Sequence, residues 1–137
     1  MYVNCGTDLI RISRIENAVQ KHGARFLNRI WTAREQKTAA AISSLAVRFA
    51  AKEAVAKALG SGIGPFGVCW TDIEILRASN GAPEIHLHGA AGDLFKRFAG
   101  MSISVSLSHE GDLAQAFCVM LSMEPVNTAN IGEEFQD

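Results

Sequence analysis

One segment constrains the fold more than any other: "RFAAKEAVAKALGSGIG", Arg48 to Gly64. It is built from strong helix formers and stops at a glycine run. At ~100° per residue, Val47, Ala50, Ala51, Ala54, Val55 and Ala58 fall on one broad arc. Leu45, Phe49, Ala56 and Leu59 fall on nearly the opposite side. A helix apolar on two sides is enclosed by protein, so the rest of the chain has to wrap around it. Its charges occupy two seams, Arg48 and Lys52 in one, Glu53 and Lys57 in the other. Burying an unpaired charge is costly, so each needs a partner. Two readings are open. One is a Glu53–Lys57 pair four residues apart on a half-exposed helix, worth about 0.2–0.5 kcal/mol. The other is a site for an anionic ligand and a metal.

The flanking patterns supply the wrapping. Tyr2 to Thr7 reads as a short strand with Asp8 at its end. "SRIE", Ser13 to Glu16, and "TARE", Thr32 to Glu35, each have the hydroxyl–carboxylate spacing of a capping box and predict helix starts. Gly23 is a stop for the first helix, and Ser43 or Ser44 is expected to cap the long helix, which Gly60 ends. In the second half, "CWTDIEILRA" and "EIHLH" flank the turn "SNGAP" and predict a hairpin. Gly89 to Phe98 reads as helix. "SISVSLSH", Ser102 to His109, alternates with period two, and "LAQAFCVML" reads as a buried strand beyond the turn "EGD". The expected architecture is α+β, an antiparallel sheet packed around a long central helix. A single domain over residues 1–123 is expected, followed by a flexible acidic tail over 124–137.

Composition excludes some classes of function. The net charge of −1 provides no global basic field for nucleic acid. A single-strand binder would interleave exposed aromatics with basic residues, whereas the aromatics here sit in apolar patterns. No apolar run reaches membrane-spanning length, and no signal segment opens the chain. Cys5, Cys69 and Cys118 lack metal-ligand spacing and read as core thiols in a reducing compartment, so a cytoplasmic protein is expected.

Three clusters carry chemistry-bearing residues: "GTDLIRISRIE" with Asp8, the long-helix segment with Glu53, Lys57 and the glycines, and "SVSLSHEGDLA" with His109. Glycines after a helix let backbone N–H groups approach phosphate, but no Walker loop is present. In this order the three clusters resemble the signature segments of the holo-[acyl-carrier-protein] synthases. These are the small, single-repeat type of 4′-phosphopantetheinyl transferase. The resemblance covers about Tyr2 to Leu121, and the intervening "WTDIEI…NGAPEIHLHG" also fits.

The resemblance implies transfer of phosphopantetheine from coenzyme A to a serine of an acyl carrier protein, with adenosine 3′,5′-bisphosphate leaving. It implies Asp8 and Glu53 as ligands of Mg²⁺ and Lys57 at the phosphates. Arg48 and His109 match positions that contact phosphates of coenzyme A. Asn80, Gly81 and Pro83 match a loop by the adenine, and Gly60, Gly62 and Gly64 would line the groove. Arg14, Lys21 and Arg25 match a basic face that meets the acidic carrier. The resemblance also implies a homotrimer with active sites between subunits, and a metal-bound water as acceptor of the serine proton. A non-catalytic module binding a carrier protein or nucleotide would keep the basic face, but would not need both carboxylates together with Lys57.

Overall fold

The central helix, α4, runs Ile42–Ala58. In the computed structural model, which describes residues 1–39 and 41–129, it is enclosed on nearly every side. Ala46, Ala50, Ala51, Ala54, Val55 and Ala56 are all 0% exposed. Small side chains on the helix meet small side chains on a sheet. That sheet has β1 (Tyr2–Arg11), β5 (Leu113–Ser122) and β4 (Gly100–Glu110), in the order β1-β5-β4 and antiparallel throughout. The inward residues of β5 are Ala114, Ala116, Cys118 and Met120, all fully buried. On β1, Gly6 makes the tightest approach. A Cβ built there would lie 2.0 Å from the Ala54 carbonyl oxygen and 2.8 Å from Lys57 Cβ.

Four more helices and a second sheet complete the wrapping. Helices α1 (Ile12–His22), α2 (Ala24–Ile30) and α3 (Ala33–Thr38) precede α4. A 3-10 turn, Trp70–Asp72, leads into the hairpin of β2 (Ile73–Arg77) and β3 (Pro83–Leu87), and α5 (Gly89–Arg97) leads back to β4. Trp31, Phe49 and Trp70 fill the layer between α3, α4 and the 3-10 turn, with Phe49 stacked on Trp70 at 4.6 Å between ring centres. The architecture is the α+β arrangement expected.

Several local expectations give way to longer-range contacts. The first strand does not end at Thr7; it continues to Arg11, so Asp8 lies within it. The capping box at Thr32 and Glu35 forms, but the one at Ser13 does not. Helix α1 starts at Ile12 with no cap from its own segment. Its N-terminus is held instead by Asp112, whose carboxylate accepts from Ser13 N at 2.8 Å and from Ser13 Oγ at 2.7 Å. Neither Ser43 nor Ser44 caps α4, which begins one residue earlier, at Ile42, after Ala41. Only Cys118 is a core thiol; Cys5 and Cys69 are exposed. Strand β5 is buried on one face only: Leu113 and Phe117 are 42% and 45% exposed.

The beginning of the expected tail is packed. Glu124 N donates to Phe98 O, Val126 packs against the core, and Thr128 Oγ1 donates to Gly60 O at 3.0 Å. Residues 130–137 lie outside the described residues.

The close approach at Gly6 gives a direct test. Gly6→Ala should destabilise the domain by about 1–3 kcal/mol or more, read as a lower urea midpoint with an unchanged slope. An unchanged midpoint would show that strand and helix can separate freely.

Candidate active site

Strand alternation aims Asn4, Gly6, Asp8 and Ile10 of β1 at α4. Because Gly6 brings the strand close, Asp8 and the last turns of α4 meet. Lys57 Nζ donates to Thr7 O at 2.7 Å and lies 3.6 Å from Asp8 Oδ1. Lys57 therefore turns to the strand. Asp8 Oδ2 is buried without a hydrogen-bond partner in the described structure. Glu53 sits one turn before Lys57, half-buried. Burial and then the charge of Asp8 push its carboxyl above the ordinary range, while Lys57 and Arg14 pull the other way. Two carboxylates thus feel each other across the strand–helix seam, and one oxygen is left without a proton donor.

That donor set fits a hard divalent cation. Among the described residues no group of three or more His, Cys, Asp or Glu side chains could hold a metal. Two carboxylates would leave the rest of the coordination shell to water and ligand oxygens, as Mg²⁺ prefers. Beside Glu53 opens a cavity of about 710 Å³, lined by Arg29, Gly64, Cys69, Trp70 and Thr71 among others. Of the glycines expected at the groove, Gly64 lines this cavity. Gly62 adopts a positive φ of 66° in the loop, and Gly60 is held by the Thr128 hydroxyl.

On the opposite flank of α4 lies a cleft of about 300 Å³, lined by Arg48, Arg77, Gly81, Pro83, Ser106 and Leu107 among others. Two guanidinium groups share it. Burial lowers the Arg48 pKa; Glu35 opposes the shift and Arg77 adds to it. Arg48 is itself only 4% exposed, and its Nη1 donates to Glu35 O and to Thr38 Oγ1, both at 2.9 Å. Arg77 was missed by the sequence reading, although its place at the end of a strand, just before the "SNGAP" turn, was a usable signal. Asn80 shapes that turn, its Oδ1 accepting from Ala82 N at 3.0 Å. His109 is exposed on β4, opposite Ala114.

The two halves are not adjacent within one chain. In register, Asp8 faces Ala116, and Ala116 faces Leu107, which lines the cleft. Two strand spacings, about 10 Å, separate the acidic edge from the cleft edge. The basic residues Arg14, Lys21 and Arg25 are exposed on α1 and α2, and Arg29 beside them reaches the cavity next to Glu53.

Comparison with known proteins decides the family. The model of the 4′-phosphopantetheinyl transferase superfamily matches residues 4–118. The chain belongs to this superfamily. A holo-[acyl-carrier-protein] synthase of Herpetosiphon aurantiacus is 46% identical over 120 residues, covering 83% of this chain and 94% of the relative. One of Chlamydia caviae is also 46% identical, covering 85% and 94%. Among solved structures, the Helicobacter pylori holo-[acyl-carrier-protein] synthase in complex with coenzyme A superposes with a TM-score of 0.78. It is 35% identical and covers 85% of this chain and 99% of that one. Membership makes this transferase an enzyme and sets its acidic seam, cavity and cleft in the context of transfer chemistry.

The raised Glu53 carboxyl predicts a stability effect with a definite sign. The folded transferase binds that proton more tightly than the unfolded chain does, so ionising Glu53 costs stability as pH rises through the raised value. With a chelator present, Glu53→Gln should melt above wild type at pH 7.5, and the gap should close below the ordinary glutamate value of 4.5. Equal melting temperatures at pH 7.5 would mean the carboxylate is not strained.

Proposed function

We propose that this chain transfers the 4′-phosphopantetheine group of coenzyme A to a serine of an apo-acyl carrier protein, releasing adenosine 3′,5′-bisphosphate. The observation that carries the reading is the seam itself: Asp8 with an unpartnered buried oxygen, Glu53 raised on the facing helix, and Lys57 one turn on from Glu53 and 3.6 Å from Asp8. The named relatives are holo-[acyl-carrier-protein] synthases, and the Helicobacter pylori structure contains coenzyme A.

In this reading Asp8 and Glu53 hold Mg²⁺. When bound, the ion offsets negative charge on the diphosphate and orients it for in-line attack. An ammonium has three donors. Lys57 spends one on Thr7 O and aims another at Asp8, which leaves one donor for an oxygen of the departing phosphate. Arg48 and Arg77 receive the phosphates at the adenosine end, with Gly81 and Pro83 forming the adjoining wall. The glycine loop and the cavity beside Glu53 take the pantetheine side. Arg14, Lys21 and Arg25 meet the acidic carrier, where complementary charge speeds encounter and sets orientation.

The assembly we propose is a homotrimer in which one subunit's acidic edge faces the next subunit's cleft. Two observations support it. The halves of the site lie on opposite edges of one sheet. On the face of that sheet turned away from α4, β1 and β5 leave large apolar side chains bare, with Val3, Leu9 and Phe117 at 71%, 59% and 45% exposed. Such a patch marks an association surface. No helix among the described residues is long and apolar enough to cross a membrane, and we assign the enzyme to the cytoplasm, where its co-substrate is found.

The deciding assay incubates the protein with coenzyme A, Mg²⁺ and an apo-carrier, and follows the phosphopantetheine mass on the carrier. Asp8→Asn and Glu53→Gln should each abolish transfer while the fold is kept, and Arg14→Glu should raise KM for the carrier. Full activity in either carboxylate variant would overturn the site assignment. Separately, light scattering should give three times the chain mass of 14.7 kDa. Phe117→Asp should then yield an inactive monomer, whereas a monomeric wild type with full activity would remove the shared site.

A further inference from the structure

Two lysines flank Glu53 on α4, and they face opposite ways. Lys57 is half-exposed at the seam; Lys52 is 0% exposed. Lys52 Nζ donates to Glu35 Oε1 at 2.7 Å, to Trp70 O at 3.1 Å and to Ile73 O at 2.5 Å. All three donors of the ammonium are therefore used. Burial lowers its pKa, with Glu35 opposing through charge and hydrogen bond.

Glu35 is bonded through both carboxylate oxygens. Its Oε1 also accepts from Thr32 N at 2.9 Å, and its Oε2 accepts from Ile75 N at 3.2 Å. Its backbone carbonyl takes Arg48 Nη1. One residue of α3 thus receives both cations of one α4 seam, Lys52 on the side chain and Arg48 on the main chain.

The partners of this pair are the walls of the two pockets. Trp70 lines the cavity beside Glu53. Ile75 and Arg48 line the cleft. Lys52 is bonded in sequence to Glu53. We propose that Lys52 and Glu35 are positioning residues for transfer. The buried pair fixes the cavity wall through Trp70 and Ile73, and the cleft wall through Ile75 and Arg48, relative to the helix that presents Glu53. Neither residue touches substrate. Their effect is to hold each wall fixed against α4, so that the cavity beside Glu53 and the cleft presented to a neighbouring subunit both keep their shape. Errors of about 1 Å in such a placement cost up to about a hundredfold in rate.

An apolar replacement could not do the same. Removing both side chains would take the partner from two main-chain carbonyls and two main-chain N–H groups, of which Ile73 O and Ile75 N are buried.

The inference rests on the transferase reading, and wild type assayed in parallel separates the two. If wild type fails to transfer, the reading fails; if it transfers, the variants judge the pair. The variants are Lys52→Met, Lys52→Arg and Glu35→Gln, each checked for folding by circular dichroism and assayed well below its own melting midpoint. A purely structural role lowers the folded fraction, which scales kcat and moves neither KM. A positioning role raises KM for coenzyme A by about tenfold or more and leaves KM for the carrier unchanged, with Lys52→Arg recovering part of the loss. Should Lys52→Met not fold, Glu35→Gln carries the same expectation, since it keeps the shape of the pair. Wild-type KM for coenzyme A in a folded Lys52→Met or Glu35→Gln protein overturns the proposal.

Discussion

The contact on which the rest of this structure depends is the approach of β1 to α4 at Gly6. Strand backbone lies against the Ala54 carbonyl with no room for a side chain between. Small residues on both sides make this possible: Ala50, Ala51 and Ala54 on the helix, Ala114 and Ala116 on β5. The candidate chemistry follows from that spacing. Asp8 is two strand positions beyond Gly6, so it points the same way. Glu53 precedes Ala54 by one residue, and Lys57 is one turn on. Every group of the acidic seam therefore lies within one helical turn or two strand positions of a single backbone contact.

The four charges of α4 are sorted by that enclosure. Glu53 and Lys57 face the strand seam, where β1 offers a carboxylate and a carbonyl. Arg48 and Lys52 face α3, where Glu35 meets both. The buried Lys52–Glu35 pair is hydrogen-bonded through all three ammonium donors and both carboxylate oxygens, the condition under which a buried ion pair is tolerated. The Asp8 carboxylate that faces the other seam is not, since its Oδ2 lacks a partner. Completeness around Lys52 and deficiency at Asp8 separate a charge that builds the fold from one left open to a ligand; Arg48 is bonded to Glu35 O and Thr38 and also lines the cleft.

Much of this was readable in the sequence, where the determinants are local. The long helix, the box at Thr32 and Glu35, the hairpin at "SNGAP" and the alternation of "SISVSLSH" all depend on near neighbours, and all are found. Asp8, Glu53 and Lys57 come together at one seam. What failed depended on distant partners. Ser13 has the same local spacing as Thr32, yet Asp112, 99 residues away, takes the cap. The segment "LAQAFCVML" is apolar on both faces and so reads as buried, but one chain covers only one of them. Lys52 and Lys57 look alike in sequence; only the position of Glu35 in another helix tells the structural lysine from the exposed one.

A strained carboxylate pair persists only where the surrounding structure over-determines it. Here the strand carrying Asp8 is paired along its whole length with β5, and the helix carrying Glu53 is buried through most of its length. Neither element can relax away from the other without opening the alanine-lined interface. The raised proton affinity of Glu53 and the unpartnered oxygen of Asp8 are thus imposed by packing, not chosen locally. A ligand that supplied positive charge at the seam would face both carboxylates at once, held in place by packing that forms without it.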